Sequence, residues 1–127
     1  MRQIAVYLIL LVVPFSCAEG QEIPSAEWQI KTAILAAPEE FRDGAMVYGY
    51  DSNGDFTTLR EGTNAYICRA DDPNKEGFST AAYHKELDVF MARGRSLKAE
   101  GKDGKEVFAI REKEAQDGTL KMPDKTT

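Results

Sequence analysis

Two cysteines and one histidine are all that this 127-residue chain offers toward metal centres or activated nucleophiles. Neither type recurs at a metal-ligand spacing, for the chain has no CxxC and no HExxH. GxSxG, P-loop and GxGxxG patterns are missing as well. The motifs that build an acyl-transfer elbow or a phosphate cradle are therefore lacking, and no cofactor is expected. A cation surplus is absent too. Lys and Arg total 16 against 21 Asp and Glu, a net charge of −5, so the basic footprint of a nucleic-acid binder is not there. Internal repeats and low-complexity segments are not seen.

What stands out instead is Met1–Gly20. Arg2 supplies a positive start, Ile4–Phe15 is an apolar run broken only by Pro14, and Ser16, Cys17 and Ala18 are small. A secretory signal needs these three parts in this order. Cleavage is expected after Ala18. A membrane-spanning helix wants roughly 20 apolar residues, and this run is shorter. The alternative end is a lipid anchor on Cys17, whose signal requires an aliphatic residue and two small ones before the cysteine. Pro14, Phe15 and Ser16 stand there, and only Ser16 suits. The expected location is periplasmic or extracellular, with membrane contact only if Cys17 is acylated. The expected organisation is a signal peptide at 1–18, an extended leader at 19–24, a single small domain at 25–120 and a tail at 121–127.

A hydrophobic fraction of 43% implies a packed core. Ser25 is a good N-cap and Glu27 favours the first turn. Trp28, Ile30, Ile34, Leu35 and Ala37 recur at helical spacing up to Pro38, with Trp28 read as a core or edge-of-core anchor. Arg42-Asp43-Gly44 is a turn. Ala45–Tyr50 and Phe56–Leu59 read as strands around Asn53-Gly54, a hairpin signal because both residues accept positive φ. Glu61–Asn64 is a second turn and Ala65–Arg69 a third strand. Ala70–Thr80 is a polar loop. Thr80 is a possible cap for a helix whose stripe is Tyr83, Leu87, Phe90 and Met91, running to about Ala99. Lys105–Gln116 follows as a helix with Gly118 as C-cap, Val107–Ile110 being a strand in the alternative. Leu120–Thr127 has little to bury. The predicted fold class is α+β: an N-terminal helix, a three-stranded antiparallel meander, and one or two C-terminal helices.

Three groups of residues invite chemistry. Cys68, His84 and Asp72, with Asp71 beside it, could form a nucleophile, a base and an acid. The plainer reading is a buried Cys68, an exposed His84 and turn-forming aspartates before Pro73. If Cys17 leaves with the signal, Cys68 has no intramolecular disulfide partner. Asp51, Asn53 and Asp55 match positions 1, 3 and 5 of a calcium loop. Phe56, however, stands where that loop needs glycine, and the flanks read as strands, so a hairpin turn is the plainer reading.

Ala36-Ala37-Pro38, Arg42-Asp43-Gly44-Ala45, Leu59-Arg60-Glu61-Gly62-Thr63-Asn64, Cys68 and Asp71 or Asp72 form a pattern. It resembles that of a group of small exported bacterial proteins without assigned function, over roughly Trp28 to Met91. The resemblance implies a helix ending in Ala-Ala-Pro, a hairpin, and a Gly-Thr-Asn turn leading into a Cys strand. It implies nothing about chemistry. Such proteins carry a second cysteine after the first, whereas Asn74–Ala82 has none. They also extend further at the C-terminus. This chain reads as a shortened version whose sheet edge beyond Ala65–Arg69 is less covered. The function expected is a small exported binding or interaction module, meeting a protein or small-molecule partner and using a free sheet edge. The alternatives are an enzyme using Cys68 and His84, and a calcium-dependent surface protein.

Overall fold

A computed structural model describes residues 22–124. The segment expected to be an export signal, Cys17 included, lies outside them. The order of elements is α1 (Ala26–Ala33), β1 (Met46–Tyr50), β2 (Phe56–Arg60), β3 (Tyr66–Arg69), β4 (Ala81–His84), α2 (Asp88–Ala99) and α3 (Gly104–Gln116). Short 3₁₀ turns follow α1 and precede β1 and α2. The class is α+β, but the sheet is four-stranded and mixed, in the order β2-β1-β3-β4.

The first correction concerns the meander. β1 and β2 are antiparallel, whereas β3 lies on the far side of β1 and parallel to it. The connection after β2 therefore crosses the start of β1. Two glycines allow that crossing. A Cβ on Gly62 would stand 2.6 Å from the Met46 nitrogen, and one on Gly44 would stand 2.7 Å from Thr63 Oγ1. At the crossing, Gly44 O accepts from the N–H groups of Thr63 at 2.8 Å and Asn64 at 3.1 Å. Arg60 Nη2 donates to Arg42 O and Ala45 O, at 2.6 and 2.7 Å. Arg42 Nε donates to Ala37 O, and Asn64 Nδ2 to Phe41 O. Ala37, Arg42, Gly44, Ala45, Arg60, Thr63 and Asn64 thus converge on one brace.

The second correction is β4, which covers the edge expected to be open beyond β3. The expected helix from Thr80 begins only at Asp88. Tyr83 falls on the helical stripe because it precedes Leu87 by four residues. In the folded chain Ala81–His84 pairs with β3, so Tyr83 faces Ile67 and His84 faces Tyr66. Pairing with a neighbour outweighs spacing in so short a segment.

α1 covers one face of the sheet. Ser25 Oγ caps it by accepting from Trp28 N–H at 3.2 Å. The buried residues of this helix are Gln29 and Ala33, not Trp28. Ala33, Ala37, Ala45, Val47, Cys68 and Ala70 form the core on this side; burying a valine such as Val47 is worth about 1.5–3 kcal/mol. Gln29 takes the place of a strand. Its Nε2 donates to Tyr50 O and its Oε1 accepts from Tyr50 N–H, both at 2.9 Å. β3 is too short to reach that end of β1, and the carboxamide supplies the missing pairing.

The α2–α3 hairpin lies over the opposite face. Arg93 grips Glu114 with two hydrogen bonds, 2.9 and 2.7 Å, and so ties the two helices. Asp103 and Glu106 form a capping box at the start of α3. Gly118, at φ +81°, ends it as expected. Leu120 is only 6% exposed, so the expectation that Leu120–Thr127 has little to bury fails at its first residue. Among the described residues no helix is long and apolar enough to cross a membrane.

Candidate functional site

Cys68 sits in the middle of β3, opposite Val47 on one side and Ala82 on the other. It is a free cysteine with no exposed surface. Burial pushes its thiol pKa up, against a smaller opposing pull from the Arg60 charge. Such a thiol is the reverse of an activated nucleophile. His84 lies two residues beyond Ala82 on the same face of the sheet, but its ring is engaged elsewhere. Its Nδ1 accepts from Glu86 N–H at 3.4 Å and stands 3.7 Å from Glu86 Oε2.

Asp72 follows the other end of β3, away from His84. Burial raises its carboxyl pKa, yet the Asn74 N–H and the Lys75 ammonium outweigh that and hold it below the usual value. Its Oδ1 accepts from Asn74 N–H at 3.0 Å and its Oδ2 lies 3.4 Å from Lys75 Nζ. Asp71 Oδ1 accepts from Ser79 N–H at 2.7 Å. The two aspartates organise the loop before β4. Cys68, His84 and Asp72 are not brought together.

Asp51, Asn53 and Asp55 form the β1–β2 turn. Asp51 Oδ1 accepts from the N–H groups of Asn53 at 2.8 Å and Asp55 at 3.0 Å. Gly54 N–H closes on Asp51 O, and only Gly54 has positive φ, at +81°. The turn is therefore a three-residue loop with a glycine bulge, where two residues of positive φ were expected. Its carboxylate oxygen is spent on backbone. Among the described residues, no group of three or more His, Cys, Asp or Glu could hold a metal ion.

The densest polar cluster was not foreseen. Asp88, the first residue of α2, accepts from Tyr48 OH at Oδ2 and Tyr83 OH at Oδ1, each at 2.8 Å. Arg95 Nη2 lies 3.4 Å from the same Oδ1. The Arg95 guanidinium lies 4.8 Å from the Phe56 ring centroid and 5.3 Å from that of Tyr48. Burial, then the bond to Asp88, raises both phenol pKa values. Both phenols donate to Asp88, so the cluster pins α2 to the sheet. Two tyrosines of like strand parity and an aspartate seven residues before an arginine were its sequence signal.

The other feature is a sheet edge. Lys85 N–H bonds to Ala65 O at 2.8 Å. In an antiparallel ladder the bonds alternate, so the backbone groups of Ala82 and His84 point away from β3. Exposed apolar side chains gather beside that edge. Phe78, 60% exposed, precedes β4 and meets Trp28, 44% exposed, edge to face with centroids 6.0 Å apart. Leu35, 61% exposed, lies in the 3₁₀ turn that packs by β4. Phe41 stacks at 4.7 Å on Tyr66, the strand partner of His84. Comparison with protein-family models, curated proteins and solved structures finds no match to this chain.

Proposed function

We propose that this protein is a small exported interaction module that takes an extended segment of a partner along β4. The observation that carries this reading is the coincidence of outward-facing backbone groups with Trp28, Phe78, Leu35 and Phe41 along one edge. Main-chain pairing would supply affinity and the apolar flank would select alternate side chains of the incoming strand. Exposed apolar patches of this kind mark contact surfaces. Export rests on the build of Met1–Gly20.

The test uses peptides selected from a random library on the folded protein. Hydrogen exchange then maps each bound peptide. The Ala82 and His84 amides should exchange freely alone and gain protection in the complex, and Leu35→Lys should abolish binding without unfolding the chain. Peptides that protect β2, or that leave the Ala82 and His84 amides exchanging freely, would refute the proposal.

A further inference from the structure

We infer that the strand β4 takes is β4 of a second copy of this chain, paired antiparallel about a two-fold axis at Tyr83. The inference rests on the edge reading and names its partner. A lone peptide fits this edge incompletely. It can pair with the outward backbone groups of Ala82 and His84. Trp28 and Leu35, however, belong to α1 and the 3₁₀ turn after it, in the layer that covers the sheet. Covering them as well takes a partner whose own free edge has an apolar layer beside it at the same height. This chain meets that description, because α1 packs on β1 and the turn after it packs on β4.

A two-fold contact sets a patch against itself, and like charges directly opposite across strands are destabilising. The middle of this patch is neutral: Thr80, Ala81, Ala82 and Tyr83 in the sheet, with Leu35 and Ala36 in the layer beside it. Charges stand only at the two ends. Glu27 and Lys31 accompany Trp28, and Lys75 and Glu76 precede Phe78. Glu39 and Glu40 precede Phe41 at the other end, where Lys85 and Glu86 follow β4. Antiparallel order sets one end against the partner's other end. Glu39 and Glu40 therefore lie toward the partner's Lys31 and away from their own counterparts. With Tyr83 on the axis, Ala82 faces the partner's His84, and the outward N–H groups of both copies meet carbonyls. The small Ala82 leaves room for the imidazole. So short a strand pair falls below the roughly 1,200 Å² of total buried area that marks standard interfaces. The chain should therefore be a monomer with a free edge at about 10 μM and a reversible dimer at about 1 mM.

Sedimentation equilibrium across that range should follow a monomer–dimer equilibrium. At the upper concentration, a mixture of ¹³C,¹⁵N-labelled and unlabelled chains should give isotope-filtered NOEs between Ala82 and the partner's His84. Ala82→Pro removes an N–H that points away from β3, so the β3 ladder keeps its bonds and only the outer edge is blocked. That variant should remain monomeric throughout. Leu35→Lys, in an exposed position, should raise the dimer dissociation constant at least tenfold with the melting temperature held. A wild-type chain that stays monomeric at the upper concentration would overturn the inference, and so would a dimer whose NOEs run through β2 or the α2–α3 hairpin. Library peptides captured along β4 by such a chain would leave the edge reading standing, whereas their failure there would remove that reading too.

Discussion

The two edges of the sheet are built on opposite principles. β2 is closed by its own side chains. Leu59 is an extra residue opposite the Val47–Tyr48 step, and this bulge turns its side chain toward Gly49 and the core. Arg60 folds inward onto the Ala45 and Arg42 carbonyls. Phe56 is held by Tyr48, Tyr50 and the Arg95 guanidinium. Bulges and inward charges are the usual means of keeping an edge from pairing with strangers. β4 has none of these. It is regular over four residues, carries two alanines, and is bordered by apolar side chains in water. A protein that protects one edge and leaves the other apolar does not face the solvent evenly, and that asymmetry supports the edge reading.

The crossing beneath β1 creates both edges, so breaking it should have the largest effect. Gly62→Ala places a Cβ against the Met46 backbone, which cannot swing aside as a side chain could. A loss of about 3 kcal/mol in urea unfolding is expected. Gly104→Ala is the control. Nothing lies within 4 Å of its Cβ, and the change should be neutral or stabilise by up to about 1 kcal/mol, because alanine is the better helix former. Arg60→Ala comes next. It removes the charge-assisted bonds to the Ala45 and Arg42 carbonyls, leaving Arg42 O with only the long bond from Ala45 N–H, and should cost about 2 kcal/mol. Hydrogen exchange should show the loss centred on β2 and the start of β1, with the outer amides of β4 unchanged.

The third expectation concerns the strut that joins the sheet to α2. Tyr83→Phe removes the donor to Asp88 Oδ1 and should cost about 1 kcal/mol at neutral pH. Its pH dependence has a definite sign. The unfolded phenol ionises near pH 10.0, and the folded one higher. Stability is therefore full below pH 10 and falls as the pH climbs from there toward the folded value. The Tyr83→Phe variant should lose less stability over that climb, whereas a Trp28 substitution should leave the slope unchanged.

Much of the local structure was legible in the chain. Ser25 as a cap, the turn at Asn53-Gly54 and the helix ending at Gly118 each depend on neighbours within a few residues, and the burial of Cys68 follows from its residue type. The order of the strands was not legible in this way. Gly44 and Gly62 are 18 positions apart, and nothing in either turn says that one must pass over the other. The same holds for Gln29, whose polarity suggests solvent until Tyr50 is seen to need its carboxamide. Tyr83 shows the converse failure, since its helical spacing was real but accidental. As for the sites, the Asp88 cluster draws on β1, β4 and α2. Residues so far apart in the chain become neighbours only through the mixed sheet.

The smallest expected effect separates the two edges most cleanly. Phe56 and Trp28 are aromatic, with exposures of 37% and 44%. By exposure alone, alanine at either position should cost about the same. Their surroundings differ. Phe56 touches two tyrosine rings and a guanidinium, and each aromatic contact is worth about 0.5–1.5 kcal/mol beyond burial. Trp28 has only the edge of Phe78, itself mostly in water. Phe56→Ala should therefore lower stability by about 1 kcal/mol or more, and Trp28→Ala by no more than about 0.5 kcal/mol. The order should reverse for peptide capture. Trp28→Ala should weaken a β4-bound peptide that Phe56→Ala leaves untouched. If thermal melts showed equal losses, or if the Phe56→Ala variant lost the peptide, the two edges would not be the different devices that their side chains describe.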